Sequence, residues 1–447
     1  MKKSKSSKAR RSPTKPNKHA AGIDVGAEVH YVAVDPDSTS EPVRCFGALT
    51  ADLHTLADWL VQCKVRTVAM ESTGVYWIPL FQILEARGLD VCLVNARHVK
   101  NVPGRKTDVQ DCQWLQYLHS VGLLAASFRP CGEICAVRSL LRHRDTLMRG
   151  ACEQVQRIQK SLDQMNILLH RVVSDITGLT GLAILDAILA GERNPINLAK
   201  HRDRRCKKSE QEIAAALQGD WRIEHLFTLK QSLQLWRQLQ EAILECDVEI
   251  NALINELSDQ NGDQPLPPST KKGSNALNEP QREQLFAKFG VDITAVEGVG
   301  IKTAQVFLSE VGPDVSSFKS AGHFASWLGL CPDNRISGGR QLGSSTRSVK
   351  SRLSNALRMS AQNLHRSESA LGDWFRRLRS KLGAKGAITA AAHKLARILY
   401  AMVKTRKPYN PKHTTNQVLH KQRKEKSLRR QAKLLGFQLK PIEGSVS

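Results

Sequence analysis

The chain has 447 residues, 66 Lys and Arg against 42 Asp and Glu, and a formal charge of +24. That length exceeds one ordinary compact domain, and 41% hydrophobic residues is enough for real cores. The charge favours a polyanionic partner, nucleic acid first, although a ribosome-associated protein or a merely basic soluble enzyme would share it. Ten cysteines are scattered without a Cys-x-x-Cys pair, which reads as reduced thiols in a cytoplasmic, nucleoid-associated protein. Nothing resembles a secretory signal, and Asp186 interrupts the best apolar run, Leu179 to Leu189, so no membrane segment is expected.

Residues 1–19 form a basic arm, expected to be disordered, with Lys2, Lys3, Lys5, Lys8, Arg10, Arg11, Lys15 and Lys18 and no acid. Strand patterns follow at Ala21–Gly26, Val29–Val34 and Arg44–Leu49, then a helix over Leu53–Cys63 and a buried strand Thr67–Met70 ending at Glu71. A helix over Trp77–Arg87 and a strand Asp90–Val94 complete the set. Three antiparallel strands followed by alternating helix and strand is an α/β RNase H-like order, assigned to residues 20–130; a doubly wound nucleotide-binding fold would alternate from its start.

Residues 131–257 read as a long helical, coiled-coil segment. Apolar positions run from Val137, Leu141 and Met148 to Val155, Ile158, Leu162, Met165 and Leu169, and again through Leu229, Leu233, Trp236, Ile243, Ile250, Leu253 and Leu257. This spacing fits either an antiparallel hairpin within the chain or a coiled coil between subunits. Residues 174–226 are less regular and read as an insertion, and 258–282 as a linker. A mainly α domain is expected over 283–405, and 406–447 is a basic tail.

Asp24 sits mid-strand among apolar neighbours, where an acid is costly without a counter-charge. Glu71 ends a second apolar strand, and Asp108 and Asp111 share one helix face at i and i+3. Asp108 alone could be a helix cap. Four acids brought together would repel, and a divalent cation removes that repulsion; oxygen-only ligands favour Mg²⁺ or Mn²⁺ over zinc. Such a site orients a phosphodiester for cleavage.

Gly22-Ile-Asp-Val-Gly26, Met70-Glu-Ser-Thr-Gly-Val-Tyr76 and Lys106-Thr-Asp-Val-Gln-Asp111 together resemble the three blocks of the DEDD transposases of insertion sequences, relatives of Piv-type DNA invertases. The resemblance covers roughly residues 20–170 and 283–405. It implies a RuvC-like domain with Asp24, Glu71, Asp108 and Asp111 as catalytic metal ligands. Glu297-Gly-Val-Gly300 resembles the family's helix-hairpin-helix-like turn, which implies backbone contact with nucleic acid at Gly298 and Gly300, beside Lys302.

Phe324 to Pro332 followed by Ile336-Ser-Gly-Gly339 resembles the block with the family's nucleophilic serine, which makes Ser337 the matching residue. A serine before two glycines is by itself only a turn. The chain departs from the family's Lys-Ala-Gly-Asn-like turn and reads Arg347-Ser-Val-Lys350-Ser-Arg352 instead, so phosphate contact passes to Arg347, Lys350, Arg352 and Arg358.

The resemblance further implies recombination of DNA guided by a bridge RNA, in a homo-oligomer. Two other functions stay open: a RuvC-like junction-resolving endonuclease using water, and a non-catalytic nucleic-acid-binding protein. A tyrosine recombinase is disfavoured, because Arg142-His-Arg144 has no tyrosine near it.

Overall fold

A computed structural model describes residues 16–72, 74–95, 107–262, 264–269, 271, 277–343, 345–410 and 417–438. Most of the basic arm, Lys106, residues 263, 270 and 272–276 of the expected linker, and residues 411–416 and 439–447 of the tail lie outside the described residues. The chain divides into two units, residues 1–129 and 130–447.

The first unit is built on five strands: β1 (Ala20–Val25), β2 (Val29–Ala33), β3 (Val43–Gly47), β4 (Thr67–Glu71) and β5 (Asp90–Val94). Their spatial order is β3-β2-β1-β4-β5. The β1–β2 and β2–β3 pairs are antiparallel, whereas β1–β4 and β4–β5 are parallel. Helices α1 (Thr50–Gln62) and α2 (Trp77–Ala86) connect the parallel strands, as parallel pairing demands.

The two faces of the sheet are covered differently. Ala21, Ile23 and Val25 of β1 and Val68 and Met70 of β4 point into a core completed by Leu53, Leu56 and Leu60 of α1 and Leu80 and Leu84 of α2. Side chains alternate along a strand, so Gly22, Asp24, Ala69 and Glu71 lie on the opposite face. That face receives α3 (Asp108–Ser120). There Leu115 and Val94 form a small core of their own, with Cys92 and Trp114 beside it.

Helix α3 comes very close to β1. A Cβ at Gly22 would overlap the backbone of Gln116 and Cys112, so only glycine fits beneath the helix. Polar contacts hold the same docking: Gln116 Nε2 donates to Ala20 O at 3.2 Å, and His119 Nε2 lies 2.8 Å from Thr67 Oγ1.

The second unit opens with two long antiparallel helices, α4 (Gly132–Gln164) and, after smaller elements, α9 (Ile223–Glu256). Arg144 Nη2 donates to Asp247 Oδ2 at 2.9 Å near one end, and Ser161 Oγ lies 3.1 Å from Thr228 Oγ1 near the other. The apolar spacing therefore serves a hairpin within the chain. Ile158, Leu162, Leu229, Leu233, Ile243 and Ile250 are buried as their spacing predicts, whereas Met148 is exposed and Ile254, rather than Leu253, is the buried residue near the end of α9. A helix has 3.6 residues per turn, so a fixed heptad drifts off the seam over a helix this long.

The irregular insertion is folded. After α5 (Leu169–Val172), which precedes it, it contains α6 (Leu179–Leu189), α7 (Pro195–Ala199) and α8 (Glu210–Ala216). Ile184, Leu185, Ile188, Leu198 and Ile213 share one core with Ile158, Leu162, Leu229 and Leu233, so these small helices cap the tip of the hairpin. Asp186, which breaks the apolar run, pairs with Arg237 at 2.6 Å. Among the described residues no helix is long and apolar enough to cross a membrane.

The rest is mostly helical: α10 (Glu279–Phe289), α11 (Ile301–Val311), α12 (Ala321–Trp327), a hairpin of β6 (Arg335–Ser337) and β7 (Arg340–Gly343), α13 (Arg352–Asn363), α14 (Ala370–Thr405) and α15 (Gln417–Leu434). Arg142 Nη2 donates to both carboxylate oxygens of buried Glu310, at 3.0 and 2.8 Å, and ties this bundle to the long hairpin. Arg142 and Arg144 thus both serve structure. The described part of the expected linker is also anchored: Lys271 Nζ donates to Thr294 O at 2.6 Å and Val299 O at 2.5 Å, and Arg282, 2% exposed, pairs with Asp292 at 2.6 Å.

Gly22→Ala tests the docking of α3. Because the obstructing atoms are backbone, this one methyl should cost at least about 2 kcal/mol. An unchanged urea midpoint for the first unit's unfolding would show that α3 can yield without loss.

Candidate active site

The four acids predicted from the sequence lie at one end of the first unit's sheet. Asp24 and Glu71 each follow the paired residues Ile23 and Met70 on neighbouring parallel strands, and both point to the face that α3 covers. Asp108 and Asp111 stand in the first turn of α3, and Cys112, one residue further, is the turn packed on Gly22. Thr107 caps this helix, its hydroxyl accepting from Gln110 N at 3.4 Å. Acids in a first turn also answer the positive end of the helix dipole.

Electrostatics shows how closely these groups act on one another. The Asp24 carboxyl is raised from its ordinary value to about 6, by burial first and then by Asp108, Asp111 and Glu71. Cys112 is pushed up to about 12 by burial, with Asp24 the next cause. Tyr31, paired with Asp24 across β1 and β2, is raised by Cys45, by burial and by Asp108.

The donor set fits a hard divalent ion in chemistry, since it is all oxygen, and in charge, since its members hold Asp24 toward the neutral form. Its spacing is looser: among the described residues no three His, Cys, Asp or Glu side chains are gathered closely enough to hold a metal ion.

Tyr31 and Cys112 did not emerge from the sequence as neighbours of the site. Tyr31 was readable in principle, because the turn from Gly26 to Val29 fixes a register that places Tyr31 opposite Asp24. Cys112 was readable only once α3 was known to lie on Gly22.

Ser337 belongs to the second unit. It ends β6 and pairs with Arg340, leaving Gly338 and Gly339 as a two-residue turn. Both glycines have positive φ, 55° and 74°, which this turn requires, and open space surrounds both. Ser337, Gly338, Gly339 and Arg340 are all exposed.

The predicted phosphate contacts divide. Gly298 has φ 81° and lies against Ser360 O, so its glycine is a structural need, whereas Gly300 starts α11 with open space around it. Lys302 and Lys350 are exposed and Arg358 is half-buried. Arg347 is engaged within the protein, donating to Ser326 O at 2.6 Å and Ser326 Oγ at 2.9 Å. Arg352 pairs with Asp145.

Comparison with known proteins gives the class first. A model of DEDD transposases matches residues 21–167, the stretch that contains all four acids. A second model, the transposase IS116/IS110/IS902 family, matches residues 292–375, which include Ser337. The chain belongs to the IS110-type DEDD transposase family. A "Probable family 20 transposase" of Pseudomonas aeruginosa is 32% identical over 124 residues, 27% of this chain and 36% of that protein. The matched segment thus spans about a third of that relative's length.

Asp24 carries a pH prediction. Its folded pKa of about 6 lies above the ordinary value of 3.8, so the folded chain binds more protons than the unfolded chain between these limits. Metal-free stability should therefore fall as pH rises from about 4 to about 6. Discounted for partial solvent exposure, the loss is on the order of 1 kcal/mol. Asp24→Asn should remove that slope and stabilise the metal-free protein at pH 7, read by thermal unfolding. A variant with the same pH profile as wild type would contradict the assignment.

Proposed function

We propose that the protein is a DNA-recombining enzyme, the transposase of an insertion sequence, that cuts and rejoins strands by transesterification. The observation that carries the reading is the gathering of Asp24, Glu71, Asp108 and Asp111 at one sheet end, with Asp24 raised to about 6 by burial and by the other three. The strand order β3-β2-β1-β4-β5, antiparallel then parallel, supports an RNase H-like, RuvC-like identity for this unit.

In this reading Asp24, Glu71, Asp108 and Asp111 hold Mg²⁺ or Mn²⁺. Such an ion, when bound, polarises the scissile phosphate and offsets charge on the attacking and departing oxygens. The four carboxylates fix where that charge is placed, and α3 docked on Gly22 fixes the carboxylates. Ser337 is the nucleophile. Its Oγ forms a bond to phosphorus while the bond to the departing 3′ oxygen breaks, and the hydroxyl proton leaves with that oxygen as a new 3′ hydroxyl. The phosphoserine ester keeps the energy of the phosphodiester, so a second 3′ hydroxyl can reverse the step and join a different strand.

The reading requires the acids and Ser337 to meet at one phosphate, and a homo-oligomer is one way to supply them. Guidance by a structured bridge RNA belongs to the same proposal, supported by the resemblance; the +24 charge is compatible with gripping RNA through its backbone. Gly300, Lys302, Lys350 and Arg358 are the better candidates for phosphate contact, because Arg347 and Arg352 already have partners within the protein. A second reading, a water-using nuclease, is favoured by one observation: the turn geometry alone accounts for both glycines after Ser337.

The two readings diverge in a cleavage assay with DNA carrying the element's ends and Mg²⁺. A serine recombination mechanism gives protein covalently joined to a strand end, with the adduct mapping to the Ser337 peptide. Ser337→Ala should lose both adduct and strand exchange. Asp24→Ala and Glu71→Ala should each lower exchange by on the order of 10²-fold or more while DNA binding persists. Cleavage by Ser337→Ala at the wild-type rate without any adduct would establish the nuclease instead, and full activity in chelator would remove the metal.

A further inference from the structure

The second unit contains a cavity of about 740 Å³ that neither the acid site nor the serine hairpin uses. It lies beside α14, which is not one straight helix. Gly383 has φ 73°, ψ 173° inside it, and this non-helical residue separates the segment with Trp374 from the segment with His393, Lys394 and Arg397. Across the break Lys394 Nζ lies 4.3 Å from the centre of the Trp374 ring. Lys407 and Tyr409, which follow the end of α14, line the same cavity.

Among the described residues the wall has three lysine or arginine side chains, one histidine and two aromatic rings, and no aspartate or glutamate. Lys394 is held below its ordinary pKa by burial, and His393 by burial and then by Arg397. These groups crowd positive charge together, and no carboxylate in the wall offsets it. Against Trp374 the ammonium finds only the weak attraction of a ring face. A ligand that brought both an anion and a flat π surface would satisfy the cations and the rings at once. The volume falls within the range of about 300–1,000 Å³ typical of sites that enclose small organic ligands, which includes a single nucleotide.

We propose that this cavity receives an unpaired nucleotide of single-stranded DNA, with its base against Trp374 and Tyr409 and its phosphate against Arg397 and Lys407. The inference rests on the reading of the protein as an enzyme that opens DNA, since only an opened strand offers an unstacked base. Aromatic side chains inside a basic groove bind single strands with little sequence preference, because every base has a π face. A duplex keeps its bases stacked, so it should gain nothing from these rings. A second copy of the chain is a poorer occupant, because its surface would have to answer the cationic wall with acids that this chain has in deficit.

The test uses the full-length protein with two fluorescent probes, a twelve-nucleotide oligo(dT) and a hairpin duplex of equal charge, read by anisotropy. Trp374→Ala should weaken oligo(dT) binding about ten-fold, leave duplex binding within about two-fold, and be largely rescued by Trp374→Phe. The double variant Arg397→Gln, Lys407→Gln should make the salt dependence of oligo(dT) binding shallower by about 1 to 1.5 in log–log slope. With wild-type protein, an oligonucleotide carrying 5-iodouracil should photocrosslink to the peptide containing Trp374 or Tyr409, which needs no variant to fold.

Crosslinks confined to other peptides, or equal losses on both probes, would overturn the inference. Tighter binding of oligo(U) with the same dependence on Trp374 would overturn the assignment to DNA. A change of oligomeric state in Trp374→Ala with unchanged strand affinity would give the cavity to a second copy. Failure of wild type to bind either probe would instead refute the DNA-acting reading beneath it.

Discussion

The contact between α3 and Gly22 is the constraint on which the rest of the first unit depends. The helix lies so close to β1 that its backbone fills the space a Cβ would need. With Cys112 and Gln116 fixed there, the first turn of α3 can only lie toward Asp24, one side-chain step further along the same strand face. The strand supplies Asp24, the neighbouring parallel strand supplies Glu71, and the helix supplies Asp108 and Asp111. None of the three elements alone contains more than two of the acids.

This arrangement has an electrostatic cost that the fold accepts. Asp24 is partly buried beside like charges, and its carboxyl is raised to about 6 as a result. A protein selected for stability alone would place an apolar residue there, as it does at Ile23 and Val25 on the same strand. Buried acids in the second unit are matched to bases and serve cohesion: Glu310 with Arg142, and Asp292 with Arg282.

Much of the first unit was legible in the sequence because its signals are local. Strand alternation and the position of Asp24 among apolar neighbours each involve a few adjacent residues, whereas the cap of α3 is Thr107 and not Asp108, which the sequence offered. The docking of α3 was not legible, since it joins residues 22 and 116 through a glycine whose absent side chain leaves no pattern. The long hairpin was half legible: its spacing predicted helices but could not say whether the seam lay within the chain. Residues 174–226 looked irregular because each short helix there is buried by the hairpin tip rather than by a face of its own. Arg347 and Arg352 looked like phosphate ligands because a sequence shows charge but not the Ser326 and Asp145 groups that engage them.

Under the proposed function the docking of α3 would make four carboxylates one cation site. Binding of Mn²⁺ to the purified protein, followed by the loss of the free-ion paramagnetic resonance signal, tests it most directly. A shared cation site gives saturable binding that each of Asp24→Asn, Glu71→Gln, Asp108→Asn and Asp111→Asn weakens by about ten-fold or more. Wild-type protein that leaves the Mn²⁺ signal unchanged, or four variants that bind as wild type does, would contradict it.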